Sequence, residues 1–328
     1  MTPPAQASRG VVPTFLVRGS LGYAGSWARN IVKAGLGRAP HFTAEDVLFR
    51  GYLRQLLGGP KLRKITCVAS TDEGAGSQAL MTMRAIDFAR TVGLTYVHTP
   101  FSRIHHADRP MAAWAEAWEQ HFNLGDGEIR ADRDDGDTVN YAFTFPTLQA
   151  LFGIDGSEPA FDDATLREFR RRYHANKSPR QNTMLTLCVH ARRRNRHDFH
   201  AEDSTDLPRL GRTLARVRAV LDAQGVDYSL RLFSQGQPEE FRALGLPPTA
   251  LFLDTDPLWS MREMFEADIL VTTLGSFSYV AGLLCVGTVL GDASGPPARG
   301  WLAYDANGDF DSTALGLAAI SLPSTRVR

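Results

Sequence analysis

From about residue 183 onward, short apolar runs alternate with longer amphipathic ones. TLCVH precedes RLGRTLARVRAVLDAQG, YSLRLFS precedes PEEFRAL, ALFLD precedes PLWSMREMFEA, DILVTT precedes SFSYVAGLLC, and VGTVLG closes the series. Strands separated by helices of this length return by crossover, so successive strands lie parallel with helices on both faces. The strands show little polar alternation, as strands covered on both sides should. An earlier block repeats the logic: strand KITCVAS, helix SQALMTMRAIDFARTVG, strand LTYVHT, a helix carrying Trp114 and Trp118, and a helix over ATLREFRRRYHANK. The fold class predicted is α/β with mostly parallel sheets.

Three regions are expected. Residues 1–60 are punctuated by Gly and Pro, carry one helical stretch near 44–57, and suggest no chemistry. Residues 61–180 form a first α/β unit, with 125–138 as an exposed Asp/Gly-rich loop, and 181–328 form a second.

Charge narrows the function. Lys+Arg and Asp+Glu both number 36, and general nucleic-acid or membrane-surface binders usually carry a basic excess. Cys67, Cys188 and Cys285 stand far apart inside apolar segments, as reduced core thiols do. With neither a secretory signal nor an apolar run of about 18 residues, the expectation is a soluble, cytoplasmic protein.

In parallel sheets ligands bind beyond the carboxyl ends of the strands, which directs attention to the loops there. After TLCVH the chain reaches His190 and then Arg192, Arg193 and Arg194 almost back to back. Guanidinium forks match phosphate oxygens and stay charged in a partly dry crevice, so the cluster suits a diphosphate. A salt-bridged surface loop, with Asp198, Glu202 and Asp203 as partners, is the alternative. After KITCVAS comes DEGAGSQ, where Gly74 and Gly76 permit close backbone approach and Ser77 and Gln78 open a helix whose free N–H groups favour an anion. It is neither a P-loop nor a full GxGxxG fingerprint, and a tight turn with a Ser cap explains it as well. After DILVTT, Ser276 and Ser278 flank Phe277 at a third strand-to-helix junction, with the same two readings.

Together these stretches resemble the fucosyltransferase superfamily that shares an H-x-R-R-x-D motif. Gly74 to Gln78 resembles its G-x-G-N-Q loop, His190-Ala191-Arg192-Arg193 its H-x-R-R, and residues 268–284 its late acidic–strand–Ser-Phe-Ser–helix segment. The likeness covers roughly residues 62–305. It implies a GT-B arrangement of two facing Rossmann-like domains, residues 61–180 on the acceptor side and 181–328 binding the nucleotide sugar. It further implies transfer of fucose from GDP-fucose to a glycan-type acceptor, with no metal and no further cofactor. Carried over, Arg192 holds the β-phosphate, Arg193 supports the loop or the phosphates, and His190 lines the guanine–ribose site. Ser276, Phe277 and Ser278 meet the diphosphate, while Gly76 and Gln78 reach it from the opposite domain. On this reading Gly76→Val impairs donor use and leaves the melting temperature nearly unchanged. The sequence departs from the motif at Asn195, where the family has Asp, at Ser77 in place of Asn, and in the extra Arg194. Loss of the carboxylate leaves open a non-catalytic nucleotide- or sugar-binding protein of the same fold.

Other clusters compete. Asp254 and Asp256 in LDTDP read either as a metal-holding DxD of a GT-A transferase or, with Pro257, as a helix start. His105, His106 and Asp108, like His197, Asp198 and His200, could ligate a metal or supply the base for the acceptor hydroxyl, and Asp72 and Glu73 beside the glycine turn are rivals for the base. Trp114 and Trp118 read as helix core or as a platform for sugar rings.

Overall fold

The computed structural model describes residues 63–68, 73–131, 138–142, 161–178, 181–182, 184–193, 204–293, 298–321 and 326–327. The helical stretch near 44–57 lies outside them, as do Asp72, Arg194, Asn195, His197, Asp198, His200, Glu202 and Asp203.

Two parallel sheets organise the chain. The first contains β1 (Lys64–Thr66), β2 (Thr95–His98), β3 (Ile129–Arg130) and β4 (Thr138–Asn140) in the order β3-β2-β1-β4. The helices α1 (Ala75–Val92) and α2 (Met111–Phe122) follow β1 and β2. α1 ends where Gly93 takes a left-handed φ of 74°, its N–H bonding back to Ala89 O, the usual way a glycine stops a helix. α3 (Asp163–His174) starts at Asp162, whose carboxylate accepts from Thr165 N–H at 2.7 Å.

The second sheet runs β11-β10-β9-β6-β7-β8. Its strands are β6 (Leu185–His190), β7 (Tyr228–Ser234), β8 (Leu251–Leu253), β9 (Ile269–Val271), β10 (Thr288–Asp292) and β11 (Leu302–Tyr304), with every neighbouring pair parallel. The connecting helices are α4 (Leu207–Ala223), α5 (Pro257–Phe265), α6 (Ser276–Leu284) and α7 (Ser312–Ser321). α4 and α5 begin on Asp206 and Asp256, each accepting a backbone N–H three residues on, with a proline in the first turn. A small antiparallel pair joins β5 (Gln181–Asn182) to β12 (Arg326–Val327).

The strand order places both strand-end loops. From β6 the chain builds outward to β7 and β8, then returns to add β9, β10 and β11 on the other side. That reversal opens a crevice beyond the carboxyl ends of β6 and β9, where doubly wound sheets bind ligands. The first sheet reverses in the same way between β1 and β4.

The series extends past VGTVLG into β11 and α7, and PEEFRAL is a 3₁₀ helix over Pro238–Leu244. A short strand, β3, lies within the expected 125–138 loop. It has two residues, both exposed, so no apolar run marks it. One continuous buried cluster joins the sheets: Ile65 and Tyr96 from the first share it with Cys188, Phe233, Leu270 and Val289 from the second. All three cysteines are buried and free.

Candidate functional site

β6 delivers His190 at its last position, and Ala191 continues inward, its N–H donating to Phe233 O at 3.0 Å. The chain then turns. Arg192 N–H donates to Thr273 Oγ1 (3.2 Å), and Thr205 closes the loop by donating its N–H to Arg192 O (2.8 Å) and its hydroxyl to Thr273 Oγ1 (2.9 Å). The Arg192 side chain runs over Gly275, the residue before α6: a Cβ there would stand 2.4 Å from Nη1 and 3.1 Å from Cδ. Gly275 also has a φ of 98°, so only glycine suits both the backbone and the passage of the arginine. A guanidinium thus lies across the N-terminus of a helix, where free N–H groups already favour negative charge.

The glycine turn meets the same helix from the other sheet. Gly76 presses on the backbone of Phe277, a Cβ on it coming within 2.6 Å of Phe277 N and Cα. The N-termini of α1 and α6 therefore abut beside Arg192. At α1 an internal anion answers part of this field, since Glu73 accepts from Ser77 Oγ at 2.6 Å. At α6 no carboxylate hydrogen bond to Ser276 or Phe277 is found among the described residues. Of the two N-termini, that of α6 is the one left without such an internal answer among the described residues. The close contact also corrects the expectation for Gly76→Val: a side chain there meets backbone, so the substitution attacks packing before it affects any ligand.

His190 faces the Phe277 ring, centroids 5.3 Å apart. Its Nδ1 is buried and makes no hydrogen bond, and burial, with Arg192 nearby, holds the imidazole down to about 4. It is thus neutral near pH 7, with one ring nitrogen unspent.

Other residues implied by the resemblance sit around this centre. Gln78 is buried and donates to Glu73 O (2.9 Å) and Arg103 O (2.8 Å), pinning the glycine turn to the loop after β2. Ser278 is fully buried and accepts from Thr273 N–H at 2.9 Å, so it shapes the turn from beneath. Ser276 and Phe277 remain half-buried at the crevice. Arg193 is turned aside to pair with Glu240 and lies over the Phe241 ring at 5.9 Å. It braces the loop against the 3₁₀ helix.

The loop after β2 lies alongside. His105 N–H donates to Glu73 O at 3.0 Å, and His106 stands beside Gly74. Arg109 pairs with Asp108 (2.7 Å) and reaches across to Asp256 (3.0 Å). Asp256 also caps α5, accepting from Trp259 N–H at 2.8 Å, so the helix-start reading of LDTDP is the one observed. Among the described residues no group of three His, Cys, Asp or Glu could hold a metal. Trp114 and Trp118 are buried and packed edge to face, centroids 5.6 Å apart; they are core, not a sugar platform.

Sequence reasoning missed Thr205, Thr273 and the Arg109–Asp256 bridge. The adjacency of β6 and β9 brings the two threonines together and the packing of one sheet on the other makes the bridge, and Thr273 carries no signal beyond its place after an apolar run.

No family model and no curated protein matches the chain. Among solved structures it is distantly similar to the E. coli heptosyltransferase WaaC with ADP (11% identity, TM-score 0.39), which covers 78% of this chain and 98% of that one. It is also similar to the NodZ α-1,6-fucosyltransferase soaked with GDP-fucose (13% identity, TM-score 0.37, covering 72% and 97%). The UDP-GlcNAc 2-epimerase of Methanocaldococcus jannaschii follows at 10% identity and a TM-score of 0.30, covering 88% and 78%. No helix among the described residues is long and apolar enough to cross a membrane.

Proposed function

We propose that the chain is a GT-B-type glycosyltransferase that takes its sugar from a nucleoside-diphosphate donor, GDP-fucose being the donor its motifs favour, and passes it to a glycan-type acceptor. One observation carries this reading: Arg192 lies over Gly275 at the N-terminus of α6, at the switch point of the second sheet. When the bond between sugar and phosphate breaks, charge grows on the departing diphosphate. A guanidinium and helix N–H groups already in place stabilise it without reorganising. The task a metal performs elsewhere falls to Arg192, with Arg193 bracing the loop that carries it.

The neutral His190 packs on Phe277 beside Arg192, an uncharged neighbour that shapes the site without competing for the diphosphate. Glu73, held by Ser77 at the facing helix, is the carboxylate we assign as base for the acceptor hydroxyl, a task that needs hydrogen-bond reach and an ionised group.

A thermal-shift panel of GDP-fucose, GDP-mannose, UDP- and CDP-sugars tests the reading, since only a bound nucleotide raises the melting temperature. GDP-fucose should raise it most, equally with and without EDTA. A chain indifferent to every nucleotide, or one that responds only when divalent metal is present, would sink the proposal.

A further inference from the structure

Away from the crevice, where β10 and β11 begin, a cavity of about 360 Å³ lies between α3 and the turn leading into β11. One face of α3 lines it through Asp163, Leu166, Arg167 and Arg170, spaced i, i+3, i+4 and i+7 as helical neighbours are. Arg299 and Trp301 close the other side. Three guanidinium groups therefore share this wall with one carboxylate, Asp163, which is exposed.

Among the described residues none of the three arginines makes an ion pair. Arg170 is half-buried, and the acceptor found for it is the Leu283 carbonyl, 3.2 Å from Nε. A guanidinium held out of water with one backbone acceptor leaves most of its donors unspent. Some other arginines of the chain are answered by carboxylates, Arg172 by Glu128 and Glu168, Arg209 by Asp292 and Arg262 by Glu266. Three arginines on one cavity wall, with Asp163 as the carboxylate lining it among the described residues, suit an anion that arrives from outside.

Trp301 gives it a second character. Its ring rests against Gly282 of α6 and Gly291 of β10, where a Cβ would stand 2.4 and 2.5 Å from the indole. Two backbone positions are thus kept bare so that the ring can lie against them, and it packs beside Tyr279 at 5.2 Å. A tryptophan fixed in this way offers a rigid apolar wall next to the arginines.

We infer that this cavity is a binding site for a phosphomonoester, its phosphate held by Arg167, Arg170 and Arg299 and its organic part resting on Trp301. Guanidinium forks match phosphate oxygens in pairs, and the volume falls within the roughly 300–1,000 Å³ of small-molecule pockets. The site stands apart from the donor crevice: Leu283, which Arg170 touches, lies in the last turn of α6, whose first turn faces the crevice. It does not depend on the donor reading.

The test is calorimetry on the full chain with GDP present in excess, titrated with inorganic phosphate and, separately, with glucose 6-phosphate. Both should bind saturably and more weakly as salt rises, the sugar phosphate several-fold tighter. Arg167→Gln/Arg299→Gln, two exposed positions, should weaken both at least tenfold, and Arg242→Gln, an arginine elsewhere on the surface, should leave both unchanged. Absence of saturable binding, equal affinity for the two probes, or a double variant that binds as wild type does would overturn the inference. Should GDP itself fail to bind, the double variant still reports on phosphate directly, so the two readings fail separately.

Discussion

Arg192 spans Gly275 on its way to the α6 N-terminus, so Arg192→Ala takes away a charged contact where water is partly excluded. The expected loss in GDP affinity is about 2–4 kcal/mol, read by calorimetry; unchanged binding would mean that the anion sits elsewhere. Two buried histidines contribute to the acid response. His121, packed among Trp118, Phe122, Tyr173 and Phe265, is driven down to about 3 by burial, with Lys177 and Arg262 adding to it. His190 is held at about 4. Folded, both are neutral; unfolded, each takes up a proton near pH 6.5. The unfolded state thus binds more protons in this window, and the stability they contribute is complete above about pH 6.5 and declines toward pH 4. Denaturation midpoints should fall across that range, and His121→Phe should flatten the decline; a midpoint steady from pH 7 to 4 would contradict both assignments. At this scale the sequence was informative about charge and silent about partners. An apolar run surfacing into arginines is visible in the string, whereas the pairing of Arg193 with Glu240 depends on how two loops fold together.

Helices α1 and α6 meet without side chains between them at Gly76 and Phe277. Overpacking ordinarily costs about 1–3 kcal/mol, and here the obstacle is backbone, which cannot rotate away. Gly76→Ala should therefore lower stability by about 3 kcal/mol or more, seen as a reduced denaturant midpoint; a wild-type midpoint would show that the helices can separate freely. Asp256→Asn separates two roles, because Asn caps a helix about as well as Asp but cannot pair with Arg109 as an anion. Its stability should stay within about 1 kcal/mol of wild type, and the glycosyl transfer proposed above should stay near normal, as measured by product release. Loss of activity would point back to a metal-holding carboxylate. The helices of the second sheet were readable because they alternate with apolar strands, and one start is announced by Asp256-Pro257, whereas the Asp206 start lies three residues before the stretch RLGRTLARVRAVLDAQG. β3 was not, since two exposed residues join a sheet only through what lies beside them.

Across the molecule, alternation of strand and helix made the parallel sheets legible, but not their meeting. The buried cluster that runs from Ile65 and Tyr96 to Leu270 and Val289 gives the two sheets a shared apolar interior. Equilibrium unfolding in urea should accordingly show one transition, with fluorescence and circular dichroism superimposing; two separated transitions would show that the sheets stand independently. The buried interior includes residues from both sides of position 180, where the sequence reading places a boundary between units. Such a body has little freedom to clamp down on what it holds. On the proposed reading a donor would enter a slot of nearly fixed width, and discrimination between sugars would rest on the shape already present.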